Sequence, residues 1–327
     1  MNPVLRRGSG VALVAVVVVA AAGGAAVALR AQEQAALFVF AVDRGGVPLL
    51  ELAPSNLAIQ EEAGRASIVS VRRFGWPLKV TVLVDNGART GDSLVHYRTG
   101  LKRFFAGLPK NVPVSLITTA PNPRWLIREA TDPLQIERAV NLIAPDQGLP
   151  RFSDALIEYA GRLDEEFRTV SKEQMPPYLP VLVSIATTHQ DGSQVTRQFS
   201  LKMLASLRQH LVWTHMIMVS PVRAPSSGGL PVVDVEEGQN AEIAKAVQEV
   251  TGGRYVPVTG SGTSALMSKI LPELAQSISA RYIRQMTQHR VVLERAAGAK
   301  GPMRNVAVSL FGHEGARIVI SADGSMP

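Results

Sequence analysis

The stretch LKVTVLVDNGART, residues 78–90, carries the strongest fold signal in this chain. Its first seven residues are apolar or β-branched apart from Lys79, which is the pattern of a buried strand. Asp85 then opens a loop of small and polar residues. In an open α/β sheet, ligands bind in the crevice at the carboxyl ends of the strands. The stretch therefore predicts a buried strand with a polar site at its end.

From Leu78 onward, near-continuous apolar runs alternate with helical patterns. This alternation predicts an α/β fold with a doubly wound, mostly parallel sheet that helices cover on both faces. The run at 125–130 follows its neighbour closely enough to be a hairpin partner, so we expect one antiparallel edge strand. The last predicted helix, residues 264–286, is expected to be interrupted at Pro272. The other expected strands cover residues 112–120, 179–188, 211–220 and 254–258.

Both ends of the chain have a β pattern instead. Strand-like runs separated by turn residues occupy 36–43, 57–62 and 65–74, and three more follow residue 288. We expect the two groups to pack together as a small β lobe. The predicted division is a leader at residues 1–31, an N-terminal β segment at 36–76, an α/β domain at 77–286 and C-terminal strands at 287–327.

The N-terminus has the form of an export signal. Arg6 and Arg7 precede an uncharged run at residues 8–29, which is long enough either for a signal peptide or for an anchor in the inner membrane. Both alternatives predict an exported protein, periplasmic or extracellular. The formal net charge is +7, and about +4 remains without Arg6, Arg7 and Arg30. This balance does not favour nucleic-acid binding, and the absence of cysteine excludes disulfides and thiolate zinc sites.

Several segments together resemble a von Willebrand factor type A (VWA) domain, and more narrowly the bacterial VWFA-related family of the Acidobacteria type. The resemblance covers residues 38–324 and depends mainly on the order of the elements and on TGGRY, residues 251–255. It implies a VWA fold preceded by a β segment. The other matching segments are AVDRGGVPLLELAPSNLAIQEEAGRASIVSVRRF (41–74), FSDALIEYA (152–160), VLVSIATTHQDGS (181–193) and ARIVISADG (316–324).

Many VWA domains bind Mg²⁺ through an Asp-x-Ser-x-Ser loop, a Thr and a later Asp. The resemblance places Asp85 at the first of these positions, but the remaining ligands are replaced. Glycine and proline have no side-chain oxygen, and arginine cannot coordinate a cation. We therefore predict a degenerate site without a metal or other cofactor. The replaced positions are Gly87, Arg89, Pro150 and Thr187 or Thr188, with Asp191 a few residues later.

Two interpretations of Asp85 remain open at this point. In the first, the guanidinium of Arg89 pairs with the carboxylate and neutralises it in place of the ion. In the second, Asp85 is exposed at the strand end and caps the following helix. A partly buried carboxylate without a partner would have a raised pKa.

The sequence does not predict an enzyme. The six histidines form no HExxH spacing, and no GxSxG or GxxxxGK[ST] motif occurs. The favoured function is an exported, non-enzymatic module for protein–protein interaction whose partner lies in the cell envelope. The alternatives are a structural envelope scaffold, a VWA domain that retains Mg²⁺-dependent binding, and a hydrolase of unknown type. The candidate partner-binding residues are Arg89, Arg151, His189 and Trp125.

Overall fold

The computed structural model describes residues 34–62, 64–168, 178–188, 191–220, 222–223, 232–233, 238–259, 263–296, 299, 301 and 303–321. The chain forms two compact units. One unit combines two segments, the chain up to Gly75 and the chain from Arg281 onward, and the other unit comprises Trp76–Ala280. The predicted leader, residues 1–31, lies outside the described residues. Within the described part, no helix is both long enough and apolar enough to span a membrane.

The described strands and helices follow one another in this order: β1 Gln34–Val42, β2 Leu57–Glu61, β3 Gly64–Phe74, β4 Leu78–Val84, α1 Leu94–Ala106, β5 Val114–Thr118, β6 Arg124–Ala130, α2 Pro133–Asn141, α3 Phe152–Arg168, β7 Leu179–Thr187, α4 Arg197–Gln209, β8 Trp213–Ser220, β9 Val222–Arg223, β10 Val232–Val233, α5 Gln239–Thr251, β11 Arg254–Thr259, α6 Thr263–Met286, β12 Gln288–Glu294, β13 Ala307–Leu310 and β14 Arg317–Ser321. Two short 3₁₀ helices span Pro54–Asn56 and Ala88–Ser93.

The sheet of the Trp76–Ala280 unit has the strand order β11-β8-β7-β4-β5-β6. Strand β4 pairs in parallel with β5 on one side and with β7 on the other, and β8 and β11 continue the parallel order. Strand β6 is antiparallel to β5 and forms one edge. The sequence predicted a buried strand at 78–84 and one antiparallel edge strand, and both are confirmed; the central place of β4 is a finding of the structure.

The second six-stranded sheet belongs to the unit formed by the two ends of the chain. Its strand order is β13-β2-β3-β12-β1-β14, and each of its pairings is antiparallel. The described residues therefore form a mixed α/β protein with two six-stranded sheets and six α-helices, in which the mostly parallel sheet belongs to the Trp76–Ala280 unit. The doubly wound arrangement of the helices stays a prediction.

Strands β4 and β7 are apolar on both faces, and this fixes them in the centre of the sheet. All nine residues of β7 are buried. Helices α3, α4 and α5 contribute to one core cluster with the sheet residues Leu83, Leu182 and Met216. Strands with two buried faces show continuous apolar runs, which is why the sequence signal was clear. Because β4 and β7 are parallel neighbours, Asp85 and Thr187 lie side by side at the carboxyl ends of these strands.

Helix α6 corrects one sequence prediction. An interruption was expected at Pro272, but the helix continues through this residue from Thr263 to Met286. Leu271, Leu274 and Ile278 are buried along one side of it. A proline inside a helix removes one backbone hydrogen bond and crowds the preceding turn. The buried apolar stripe on both sides of Pro272 offsets that cost.

The unit made from the two chain ends has its own core. Strands β1, β2 and β3 come from the N-terminal part, and β12, β13 and β14 come from the C-terminal part. Apolar residues such as Val39, Ile59 and Val291 fill its interior. A buried ion pair joins Arg295 to Glu61, with Nη2 and Oε2 at 2.7 Å. Removing either partner would leave an uncompensated buried charge, so the pair must stay complete.

Candidate functional site at the carboxyl ends of the strands

Asp85 is the first residue after β4, and its side chain is only 1% exposed. Three donors from the protein surround its carboxylate. The amide of Gly87 donates to Oδ1 at 2.8 Å. Thr187 donates to Oδ2 twice, through its hydroxyl at 2.6 Å and through its amide at 3.2 Å. The end of β4 and the end of β7 are thus joined by one carboxylate.

Burial controls the electrostatics of this carboxylate. Loss of solvation raises the pKa of Asp85 above its ordinary value, while the hydrogen bonds from Thr187 and Gly87 act in the opposite direction. The negative charge of Asp191 adds a smaller upward contribution. The charge of Asp85 also affects Tyr97, whose phenol pKa is raised first by burial and then by this carboxylate.

Neither sequence interpretation of Asp85 agrees with these contacts. The first is wrong because Arg89 is exposed and no ion pair within the described part of the chain joins it to Asp85. The second is wrong because Asp85 is buried. Its neighbour in space is instead Thr187, which the resemblance had placed at a lost metal-ligand position. A neutral hydroxyl and two amides can solvate a carboxylate at short range, so no cation is needed to hold it.

Gly87 and Pro150 close the space beside Asp85. A Cβ atom on Gly87 would lie 3.0 Å from the carbonyl oxygen of Gly148, 3.1 Å from Cδ of Pro150 and 3.2 Å from Oδ1 of Asp85. These separations are tighter than ordinary van der Waals contact, so a serine here would have to push the neighbouring loop away. The loop before α3 therefore occupies the space that a larger side chain at 87 would need.

Asn86 fastens the neighbouring loops to one another. Its Nδ2 donates to the carbonyl oxygen of Ala144 at 2.9 Å, and its Oδ1 accepts from the amide of Ala120 at 3.0 Å. Its own carbonyl oxygen accepts from the amide of Asp146 at 2.8 Å. The sequence analysis assigned no role to Asn86. Its position directly after a strand-ending Asp was the available signal, because asparagine can satisfy a donor and an acceptor at once.

Asp191 is a second carboxylate at this edge, and it holds the start of α3. Its two oxygens accept from the amides of Phe152 and Ser153, both at 3.0 Å. They also accept from the hydroxyls of Ser153 and Ser193. A carboxylate at a helix N-terminus satisfies free amides and favours the helix dipole. The sequence analysis did not find this cap, which lies 39 residues beyond Phe152 and 38 beyond Ser153 along the chain.

The candidate partner-binding residues lie in different settings. Arg151 is at the same edge: its amide donates to the carbonyl oxygen of Thr119 at 2.9 Å, and its side chain is 41% exposed. Arg89 is exposed in the 3₁₀ turn after Asp85. Trp125 is half-buried in β6, where its Nε1 donates to Glu158 at 2.7 Å. His189 lies outside the described residues.

The donor set does not suit a divalent cation. Mg²⁺ requires near-octahedral oxygen ligands, of which protein carboxylates usually supply one or two. Here Asp85 and Asp191 already accept several protein hydrogen bonds each, and Gly87 and Pro150 contribute no side-chain oxygen. In the described part of the chain, no group of three or more His, Cys, Asp or Glu residues could hold a metal ion. The residues present do not fit the magnesium site that the resemblance implies.

Comparison with known proteins gives structural matches only. No protein-family profile matches the sequence, and no curated protein is significantly similar to it. The von Willebrand factor type A structure from Catenulispora acidiphila has a TM-score of 0.47 and 10% identity, and the match covers 90% of this chain and 75% of that one. The conserved hypothetical protein BatB from Bacteroides thetaiotaomicron has a TM-score of 0.42 and 14% identity, with 64% and 98% covered.

A third match is the SpRpn10 VWA domain, with a TM-score of 0.40, 14% identity, and 57% of this chain and 92% of that chain covered. Solved VWA domains are thus among the structures to which this chain is similar, as the sequence predicts. The fold is defined by the chain's own strand order. That order has parallel strands around a central β4 and an antiparallel edge at β6.

Proposed function

We propose that this protein is an exported, non-enzymatic interaction module that binds a protein partner without a divalent ion. Its binding face is the edge where β4, β5 and β7 end. The observation that supports this most strongly is the pair of hydrogen bonds from Thr187 to the buried carboxylate of Asp85. A carboxylate used in this way is not available to bridge an ion and a partner.

The same edge offers a surface of a suitable kind. Asn86 fastens two neighbouring loops to the Asp85 loop, so the backbone there is held before any partner arrives. Binding to a surface that is already ordered loses less conformational entropy. Around the buried carboxylate, Arg89, Arg151 and Leu149 expose their side chains, and Leu149 is 50% exposed. Nη1 of Arg151 also contacts Oδ2 of Asp154 at 3.5 Å, and a partner's carboxylate would join or replace that contact. Two exposed guanidiniums and an exposed apolar group favour a partner that presents carboxylates and an apolar side chain.

Affinity capture from envelope extract tests this proposal. The purified chain is immobilised and exposed to extract with and without a chelator of divalent cations. We expect the same partner in both conditions, because no ion takes part. Capture that disappears with the chelator would contradict the proposal and favour the Mg²⁺-dependent alternative.

Two substitutions locate the face. Arg89→Ala and Arg151→Ala are each expected to weaken capture by about 10-fold, since each removes one charged contact from the interface. Arg208→Ala is the matched control, because Arg208 is an exposed arginine at the end of α4, away from this edge. Capture that is unchanged in both test variants would favour the structural scaffold instead.

A further inference from the structure

A cavity of about 240 Å³ lies in the same unit at the other ends of the strands. Lys79 and Ser115 are the second residues of β4 and β5, and Tyr178 directly precedes β7. These positions place the cavity at the amino ends of the parallel strands. The Asp85 edge lies at the carboxyl ends, so the cavity is separate from the proposed partner-binding face.

Trp125 forms one wall of this cavity and gathers two positive charges. The guanidinium carbon of Arg162 is 4.2 Å from the centre of the indole ring, and that of Arg128 is 4.7 Å from it. Stacking of this kind holds a guanidinium in place while leaving its N–H groups free at the edge. The aromatic wall therefore presents two forks of donors at the same cavity.

The two guanidiniums differ in their contacts with the described part of the protein. Among the described residues, neither Arg128 nor Arg162 donates a hydrogen bond to another residue. Arg162 forms an ion pair with Glu158, in which Nε and Oε1 are 3.7 Å apart, a separation longer than a hydrogen bond. Oε1 of Glu158 also accepts from Nε1 of Trp125 at 2.7 Å. Arg128 has no carboxylate partner in the described part of the chain.

Both acidic groups that line the cavity contact Lys79. Nζ of Lys79 is 2.8 Å from Glu129 and 3.3 Å from Glu166. Lys79 also lies 4.0 Å from the centre of the Tyr178 ring, and the Tyr178 hydroxyl donates to Glu166. Three positive and two negative side chains line the cavity, so its lining has an excess of one positive charge, and Arg128 is the cation that has no carboxylate partner in the described part of the chain. A ligand that completes this cavity carries negative charge.

The volume of the cavity limits the size of that ligand. Pockets for drug-sized molecules hold roughly 300–1,000 Å³, so this one suits a smaller molecule. Tyr159 and Ser115 are buried and line its inner part. The hydroxyl of Ser115 accepts from the amide of Glu129 at 3.0 Å, which leaves its own proton to donate.

We propose that this cavity binds a small organic anion. Its carboxylate or phosphate group accepts hydrogen bonds from Arg128 and Arg162, since planar guanidinium forks match the geometry of such oxyanions. The body of the ligand lies against Trp125 and reaches the hydroxyls inside. Two guanidiniums held on one indole in the cavity lining, of which Arg128 has no carboxylate partner among the described residues, are the juxtaposition that carries this proposal.

Titration of the full-length chain with sodium benzoate and, separately, with inorganic phosphate tests it, with tryptophan fluorescence as the readout. Benzamide is the uncharged counterpart of benzoate. We expect a saturable change with at least one of the two anions and none with benzamide. Saturation by benzoate alone identifies a carboxylate ligand, and saturation by phosphate alone identifies a phosphate ligand.

Substitutions assign the binding to the guanidiniums. Arg128→Gln is expected to weaken the affinity about 10-fold, because one charged donor pair is lost. Arg128→Lys retains the charge without the fork and is expected to fall between Arg128→Gln and the unaltered chain. Arg124→Gln, on the same strand but outside the lining, is the matched control and should bind as the unaltered chain does.

Because Arg128 is exposed, the variants should fold, and melting curves verify this. Two results would overturn the proposal: no saturation with either anion, or equal affinity in Arg128→Gln and the unaltered chain. Neither result bears on partner capture at the Asp85 edge, so the two proposals fail separately.

Discussion

Asp85 is a buried carboxylate whose hydrogen-bond donors all come from the protein. Its most effective donor is the hydroxyl of Thr187, which stands 2.6 Å away at the end of the neighbouring strand. Burial raises the pKa of Asp85, and these donors limit the increase. Asp85 therefore joins two strand ends, and the stability of its buried carboxylate depends mainly on Thr187.

Thr187→Val removes that hydroxyl while keeping the shape of the side chain. We expect it to lower the free energy of unfolding by about 1–3 kcal/mol, because a buried acceptor loses its shortest donor. Urea denaturation at neutral pH measures the change. Thr187→Ser retains the hydroxyl and is the control, which should stay within about 1 kcal/mol of the unaltered chain. A valine variant as stable as the serine variant would show that the hydroxyl does not support Asp85.

The raised pKa of Asp85 also predicts a pH dependence. The folded state binds the Asp85 proton more tightly than the unfolded chain, whose pKa is near the ordinary value of 3.8. The stability that follows is complete below that value and is lost as pH rises through the folded-state pKa. We expect the stability of the unaltered chain relative to Asp85→Asn to fall as pH rises from about 3 to about 7. Urea denaturation across this range measures it, and a relative stability that rises instead would show a lowered pKa.

The sequence predicted where Asp85 lies but not which residue it contacts. An apolar run that ends in Asp is a local pattern, and it located the strand and its end. Thr187 is 102 residues away in the chain, and only the parallel pairing of β4 with β7 brings the two together. Arg89 was chosen because it is close in sequence, yet the 3₁₀ turn after Gly87 leaves it in solvent.

At the scale of elements, the TGGRY segment shows why certain glycines occur. Gly252 ends α5 in the left-handed region, with φ at 70°, where a side chain is strained but meets open space. Gly253 has a stricter requirement, because a Cβ there would lie 1.4 Å from the carbonyl oxygen of Thr214. The turn from α5 into β11 therefore passes directly against β8.

Alanine at each position separates the two requirements. Gly252→Ala is expected to lower the free energy of unfolding by about 1 kcal/mol, which is the cost of the left-handed conformation. Gly253→Ala is expected to lower it by more than about 3 kcal/mol or to prevent folding, because backbone atoms of β8 must move. Thermal melting of the two variants measures the difference. Equal destabilisation by the two alanines would contradict the close approach to Thr214.

The start of α3 depends on a residue from another loop. Asp191→Ala removes the acceptor for the amides of Phe152 and Ser153, and we expect a loss of about 1–2 kcal/mol. Asp191→Asn, which retains one acceptor oxygen, should lose less. Chemical denaturation compares the two variants with the unaltered chain. A cap of no importance would leave the alanine variant unchanged.

The order of elements was predictable because each element has its own periodicity, whereas contacts between elements were not. The cap of α2 is local, because Asp132 directly precedes the helix and accepts from the amide of Leu134 at 3.0 Å. The cap of α3 was missed because Asp191 follows β7 and reaches back across the edge. Helix α6 was divided wrongly at Pro272, because the local rule does not include the burial of its apolar side.

At the scale of the whole molecule, the chain divides into an antiparallel unit from its two ends and an α/β unit between them. In the α/β unit, Asp85 lies at the carboxyl ends of the parallel strands, and the cavity with Arg128 and Arg162 lies toward their amino ends. At the carboxyl ends, protein donors surround the Asp85 carboxylate, whereas the cavity lining has one positive charge in excess. We therefore expect the two ends of the strands to recognise different partners, a protein at the carboxyl ends and a small anion at the amino ends.

Isothermal titration calorimetry of the full-length chain with Mg²⁺ and with Mn²⁺ tests the closed Asp85 edge most directly. We expect no saturable heat up to about 1 mM of either ion, because the oxygens of Asp85 and Asp191 are occupied by protein donors. Stoichiometric binding in the micromolar range that Asp85→Ala abolishes would contradict this description of the site.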